Sequence, residues 1–258
     1  MELELEGRTA IVTGASRGIG FAIARALSRE GARLAICARG DEALQAAATE
    51  LRGEGASVLA VPTDLSDPVS CDAFLARVQE EYGAVHVLVN NVGGNRRMPF
   101  EETSDQDWID IIQLNVFSAF RMSRGSIPLM KQAGRGSIIF VSSVFGREKG
   151  GPGLSIYNTT KTALISAAGI MALELASDGI RVNSVAPGSI RFEGGSWDRR
   201  VKEDPEGMKA FVEANLPLGR FGRADEVADV VAFLASERSS LITGACIPVD
   251  GAQGRSLV

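Results

Sequence analysis

Apolar residues cluster in seven short runs along the chain: TAIVT (9–13), RLAICA (33–38), SVLAVP (57–62), VHVLVN (85–90), SIIFVS (137–142), IRVNSVA (180–186) and ACIPVD (245–250). Most are nearly continuous and rich in Val and Ile, the composition of strands buried on both faces. Between them the spacing changes to that of helices. In IGFAIARALSREGA, Ile19, Ala22, Ile23, Ala26 and Leu27 recur at helical intervals until Gly31 ends the pattern. A further helix is predicted over 155–177, where ALISAAGIMALELA carries small apolar residues suited to close packing. Strands alternating with helices predict βαβ units: an α/β fold with a doubly wound, seven-stranded parallel sheet and helices on both faces. No low-complexity linker or internal repeat marks a boundary, so a single domain over 1–258 is expected. One stretch, SIRFEGGSWDRRVKEDPEGM (189–208), is charged, broken by Gly and Pro, and longer than a simple connection. It reads as a substrate lid, with an extent of about 189–215.

Composition narrows the class. With 27 basic and 32 acidic residues the net charge is −5, which lacks the broad positive field needed to hold nucleic acid or an anionic membrane. No apolar run approaches the roughly 20 residues that span a bilayer, and MELELEGRTA resembles no export signal, so a cytoplasmic location is expected. Cys37, Cys71 and Cys246 show no CxxC spacing and read as packing residues. His86 is the only histidine and has no clustered ligands, so no metal is expected.

The chemistry starts at TGASRGIG (13–20), which follows the first strand and opens a helix. Gly14, Gly18 and Gly20 let the backbone turn tightly and a ligand approach, while free N–H groups at a helix start face an anion. The spacing G-x-x-x-G-x-G differs from the G-x-G-x-x-G dinucleotide fingerprint. At the end of the second strand, CARGD has Ala38 and Arg39 where an acidic residue would bind a ribose 2′-hydroxyl. Arg39, with Arg17 from the glycine turn, would clamp a 2′-phosphate, which favours NADP(H) over NAD(H). In the alternative reading both arginines are solvated and Asp41 takes the ribose. Later, SIYNTTKTALIS places Tyr157 and Lys161 four residues apart on one helical face. A neighbouring ammonium favours the phenolate of a tyrosine whose ordinary pKa is about 10.

The glycine turn, NNVGG (90–94), Leu114-Asn115, VSSVFG (141–146), Tyr157-x-x-x-Lys161 and NSVAPG (183–188) together resemble the short-chain dehydrogenase/reductase superfamily, from about Leu5 to Gly251. The resemblance implies a Rossmann fold and an oxidoreductase acting on a carbonyl/secondary alcohol pair. It implies Tyr157 as general acid/base, Lys161 as the lysine that lowers the phenol's pKa and holds the coenzyme ribose, Ser143 as donor to the carbonyl oxygen and Asn115 as the tie to a proton-relay water. The coenzyme contacts it implies are Gly14, Ser16, Arg17, Gly18, Ile19, Gly20, Arg39, Asp64, Leu65, Asn90, Asn91, Gly93, Pro187, Gly188 and Ile190, with Tyr157 and Lys161 themselves. Asp64 is expected at the adenine, Asn90 at the adenine ribose and Ile190 at the nicotinamide edge. Family members are usually tetramers, so a homotetramer, or a dimer, is expected.

The sequence also departs from the family. Val92 replaces the alanine of NNAG, Phe192 stands where a threonine often holds the nicotinamide carboxamide, and the Ser143–Tyr157 spacing is one residue longer than in the commonest members. A small carbonyl or alcohol is the expected substrate. The alternatives are a 3-oxoacyl-acyl-carrier-protein reductase and a non-catalytic NADPH sensor. The two arginines with which carrier-protein reductases dock their partner are replaced by Pro128 and Leu173. In GGNRRMPF, Arg96 and Arg97 are expected at the pocket rim and Met98, Pro99 and Phe100 in its apolar wall; inward-facing arginines would indicate an anionic or polyoxygenated substrate. Phe192 and Trp197 are expected to roof the pocket.

Overall fold

A computed structural model describes residues 2–257; the outermost residues of the expected domain, Met1 and Val258, lie outside it. The strands are β1 (Thr9–Thr13), β2 (Arg33–Ala38), β3 (Val58–Pro62), β4 (Val87–Asn90), β5 (Gly136–Val141), β6 (Ile180–Pro187) and β7 (Cys246–Val249). They form one sheet in the order β3-β2-β1-β4-β5-β6-β7, and every pair is parallel. Each of the seven expected runs is a strand, with ends within two residues of the sequence reading.

The helices are α1 (Gly18–Arg29), α2 (Asp41–Gly53), α3 (Pro68–Tyr82), α4 (Asp105–Ile112), α5 (Ser118–Gln132), α6 (Ser155–Leu175), α7 (Ser196–Glu203), α8 (Pro205–Asn215) and α9 (Ala224–Ala235). Successive side chains of a strand point to opposite faces, so each strand feeds two cores. Ala10 and Val12 of β1, Leu34 and Ile36 of β2, and Ile139 and Val141 of β5 pack with α1, α2 and α9. Ile11, Ala35, Ile138 and Phe140 face the other way, onto α3, α5 and α6. This double burial is why the runs are continuous rather than alternating.

Local chemistry fixes the helix ends. Asp67 accepts hydrogen bonds from the N–H groups of Val69 and Ser70 ahead of Pro68, and Gly83 ends α3 in the left-handed region. Ser104 and Asp107 form a reciprocal capping box at α4. The stretch expected as an irregular lid contains two helices, α7 and α8, meeting at Asp204. Asp198 anchors it: its buried carboxylate accepts from Arg191, Lys202 and the Gly194 N–H, and these hold its pKa down at about 2, with Lys202 the largest influence. No helix among the described residues is long and apolar enough to cross a membrane.

The strand order turns back on itself between β1 and β4, each leading its chain segment to the opposite side of the sheet. The crevice at the carboxyl ends of these strands is where open α/β sheets hold ligands.

Candidate active site

The glycine turn is held by its neighbours before any ligand arrives. The N–H groups of Gly14 and Ala15 donate to the Cys37 carbonyl at 2.8 and 3.2 Å. From the end of β4, the Asn91 side-chain amide donates to the carbonyls of Thr13 (2.9 Å) and Gly14 (3.1 Å), while the Thr13 hydroxyl accepts from the N–H groups of Asn91 and Val92. Gly14 and Gly18 have φ of +66° and +61°, the region that suits glycine. A Cβ on Gly20 would lie 2.4 Å from the Gly14 carbonyl oxygen and 2.5 Å from Asn91 Nδ2. The first turn of α1 has no acidic residue and Arg17 gives it no side-chain cap. Its leading N–H groups are therefore left for an external anion, and the cradle fits the pyrophosphate of a dinucleotide.

Beyond β2, Arg39 is exposed and acts on Asp64, whose carboxyl is pulled down first by hydrogen bonds from Ser66 and further by the Arg39 charge. Asp41, the alternative ribose ligand, opens α2 and accepts from Gln45 at 3.1 Å. The other arginine of the expected clamp, Arg17, is exposed and its guanidinium donates to the Gly194 carbonyl at 3.5 Å. Several other candidates present backbone rather than side chain. Asn90 is buried and donates to Ser123 of α5 at 3.1 Å, and Leu65 and Ile190 have their side chains in the two cores. Gly188, after Pro187, packs so closely on Asp250 and Gln253 that a Cβ would meet them within 3 Å. Ser16 is half-buried in the turn and Ile19 packs against the core behind it.

The four candidate catalytic residues come from three segments, Tyr157 and Lys161 sharing α6, and meet at the carboxyl ends of β4 and β5. A π-helical turn at Gln113–Phe117 places Asn115 wholly inside the protein. Its Oδ1 accepts from the Gly94 N–H (2.8 Å), and its Nδ2 donates to the Gly94 carbonyl and the Thr160 hydroxyl (2.9 Å each). Lys161 is buried, donates to the Val141 carbonyl at 2.8 Å, and is pulled down to about 8 by desolvation. A Cβ on Gly93 would sit 3.2 Å from its Nζ, so glycine there leaves the ammonium room. Tyr157 and Ser143 line the same cavity. Burial pushes the Tyr157 phenol up and the Ser143 hydroxyl opposes it. Here the structure differs from the sequence reading: desolvation leads, and the ammonium, 5.8 Å from the phenol ring centre, is engaged with Val141.

Ser143 and Tyr157 open into a cavity of about 1240 Å³ bounded by Asn95, Arg97, the 147–151 loop, Trp197 and Arg200 of α7, Phe211 and Asn215 of α8, and Gln253 and Arg255 near the C-terminus. The loop lengthened by one residue is thus a wall of this cavity. The expected roof is half right. Trp197 lines it, packed on Phe211 (4.9 Å between centres) and Phe221 (5.3 Å), but Phe192 turns away. Its ring lies on the bare Cα of Gly18, where a Cβ would come within 2.6 Å. The rim also divides: Arg97 lines the cavity, whereas Arg96 pairs with Asp107 and Asp110 of α4. Met98, Pro99 and Phe100 do not line the cavity, and Phe100 is exposed against the edge of Trp108.

Sequence reasoning missed Thr13, Val141 and Thr160, which hold the glycine turn, Lys161 and Asn115. Each acts across 20 or more residues, through an atom that carries no spacing signal. His86 is a structural residue whose Nδ1 accepts from the Thr9 N–H at 3.1 Å, and the described residues contain no cluster of metal-ligating groups.

Comparison with known proteins identifies the family. Residues 14–252 match a family model described as enoyl-(acyl carrier protein) reductase. The chain is 38% identical over 249 residues to the 3-oxoacyl-acyl-carrier-protein reductase FabG of Escherichia coli (strain K12), covering 96% of this chain and 98% of that one. It is 40% identical over 248 residues to a tropinone reductase homolog of Arabidopsis thaliana, covering 96% and 92%. The crystal structure of L-sorbose reductase from Gluconobacter frateurii, complexed with NADPH and L-sorbose, superposes with a TM-score of 0.95 at 33% identity and covers both chains completely. With its parallel seven-stranded sheet and with these matches over nearly its whole length, the chain belongs to the short-chain dehydrogenase/reductase family, oxidoreductases acting on CH–OH or carbonyl groups with a nicotinamide coenzyme.

Proposed function

We propose that the protein is an NADP(H)-dependent reductase, or dehydrogenase in reverse, of a small carbonyl/secondary alcohol pair, with Tyr157 as general acid/base. The observation that carries this reading is that Ser143 and Tyr157 line one cavity, with Lys161 and Asn115 buried behind them. A bound nicotinamide coenzyme supplies or takes up the hydride. In the reducing direction Ser143 donates to the carbonyl oxygen, and Tyr157 gives its proton to that oxygen as the carbon accepts the hydride. The alcohol forms and the phenolate regains a proton along Lys161 and a water held near Asn115. Raised by burial, the phenol keeps its proton at neutral pH, as a general acid requires. Charge brought close by the substrate oxygen and the Lys161 ammonium then decides when it leaves.

Arg39 in place of an acid supports NADP(H), as does the NADPH in the L-sorbose reductase structure. Pro128 and Leu173, the positions of the missing docking arginines, are exposed and apolar, which favours a small substrate over an acidic carrier protein. Exposed Ile170 and Leu173 on α6 support association into a homotetramer, testable by light scattering.

The test combines NADPH fluorescence titration with turnover over ketones, sugar ketones and 3-oxoacyl thioesters. Tyr157→Phe is expected to bind NADPH and lose turnover by about 100-fold or more. Undiminished turnover in Tyr157→Phe refutes the assignment. Coenzyme binding without turnover on any compound makes the protein a sensor.

A further inference from the structure

The chain as a whole is acidic, but the walls around Ser143 and Tyr157 are not. Of the charged residues lining that cavity, five are cations (Arg97, Arg147, Lys149, Arg200 and Arg255) and one, Glu148, is an acid. A chain with 27 basic and 32 acidic residues would line a pocket of that size with similar numbers of each. The cations arrive from four separate segments: the loop after β4, the loop before α6, helix α7 and the C-terminal tail. None of the five forms an ion pair with a carboxylate among the described residues, although twelve such pairs are made elsewhere. Arg97 contrasts with its neighbour Arg96, which is bound to Asp107 and Asp110. Arg200 lies over the Trp197 ring at 5.0 Å, which positions its guanidinium without neutralising it. The single acid is already engaged, because Glu148 Oε2 accepts from the Arg255 N–H at 2.5 Å.

We infer that the physiological substrate is an anion: a carbonyl compound bearing a carboxylate or phosphate group, which Arg97, Lys149 and Arg200 bind while its carbonyl meets Ser143 and Tyr157. This rests on the proposed reductase function and specifies its substrate. Cations without a carboxylate partner around a concave opening concentrate the field and raise the local concentration of an anion. Arginine also offers a fork that matches either oxyanion. Asn95, Asn158 and Asn215, which also line the cavity, supply neutral groups that a hydroxylated backbone would use.

The test uses matched pairs with saturating NADPH: 2-pentanone against levulinate for the carboxylate, and fructose against fructose 6-phosphate for the phosphate. The expected result is that one anionic member exceeds its neutral parent in kcat/KM by about tenfold or more, as several partly exposed ion pairs would give. That ratio should fall about tenfold in Arg97→Gln/Arg200→Gln, shrink with added salt and persist in Arg96→Gln. Which pair shows the preference distinguishes carboxylate from phosphate. A neutral parent used as well as both anions, or a ratio unmoved by the double variant, overturns the inference while leaving the reductase reading intact. The second readout is thermal shift by levulinate and fructose 6-phosphate. If no compound turns over, a shift given by the anions alone and lost in the double variant upholds the inference against a failed reductase reading. No shift and no turnover sink both.

Discussion

Lys161 gives the sharpest energetic prediction. Its ammonium is buried with one hydrogen-bond partner, the Val141 carbonyl, and desolvation lowers its pKa from an ordinary 10.5 to about 8. At roughly 1.4 kcal/mol per pH unit, keeping the folded protein's lysine charged at pH 7 costs about 3 kcal/mol. The sign follows from linkage. Below pH 8 both folded and unfolded chains carry the proton and the full penalty is present; between pH 8 and 10.5 the folded chain releases it first, and stability rises. Replacing Lys161 by Met keeps the volume and removes the charge, at a cost of about 1 kcal/mol for the carbonyl left unpaired. The variant should therefore be more stable than the parent by about 2 kcal/mol at pH 7, and that advantage should shrink by about 2 kcal/mol by pH 10. The assay is urea unfolding of both proteins, without coenzyme and at one protein concentration, at pH 7, 8, 9 and 10. Taking the difference cancels every other titrating group. A difference that is flat with pH would refute the claim that this site accepts instability to keep a cation beside the phenol.

Other outcomes follow from the same geometry. Gly20→Ala puts a methyl 2.4 Å from the Gly14 carbonyl oxygen, so it should destabilise the fold by about 1–3 kcal/mol and weaken NADPH binding, read by denaturation and fluorescence titration. Asn115→Ala strands Gly94 and Thr160, and should lower Tm by several degrees and kcat further than the change in KM. Arg39→Ala should raise the KM for NADPH about tenfold and leave that for NADH nearly unchanged. A parent protein that prefers NADH, with Arg39→Ala silent, would end the NADP(H) assignment.

Much of this molecule was written in local pattern. Continuous apolar strands need burial on both faces, so VHVLVN and SIIFVS already implied a covered parallel sheet, and TGASRGIG between a strand and a helix already implied an anion cradle. Tyr157 and Lys161 were legible because helical periodicity alone puts them on one face. Contacts between distant segments were not legible. The sequence could not say that Arg96 would be consumed by Asp107 while Arg97 remained free, nor that Arg17 would reach Gly194. It could not say that the Phe192 ring would settle on Gly18. Nor could it weigh burial against charge at Tyr157, because desolvation depends on everything packed around a group, and that is decided only when the helices close on the sheet.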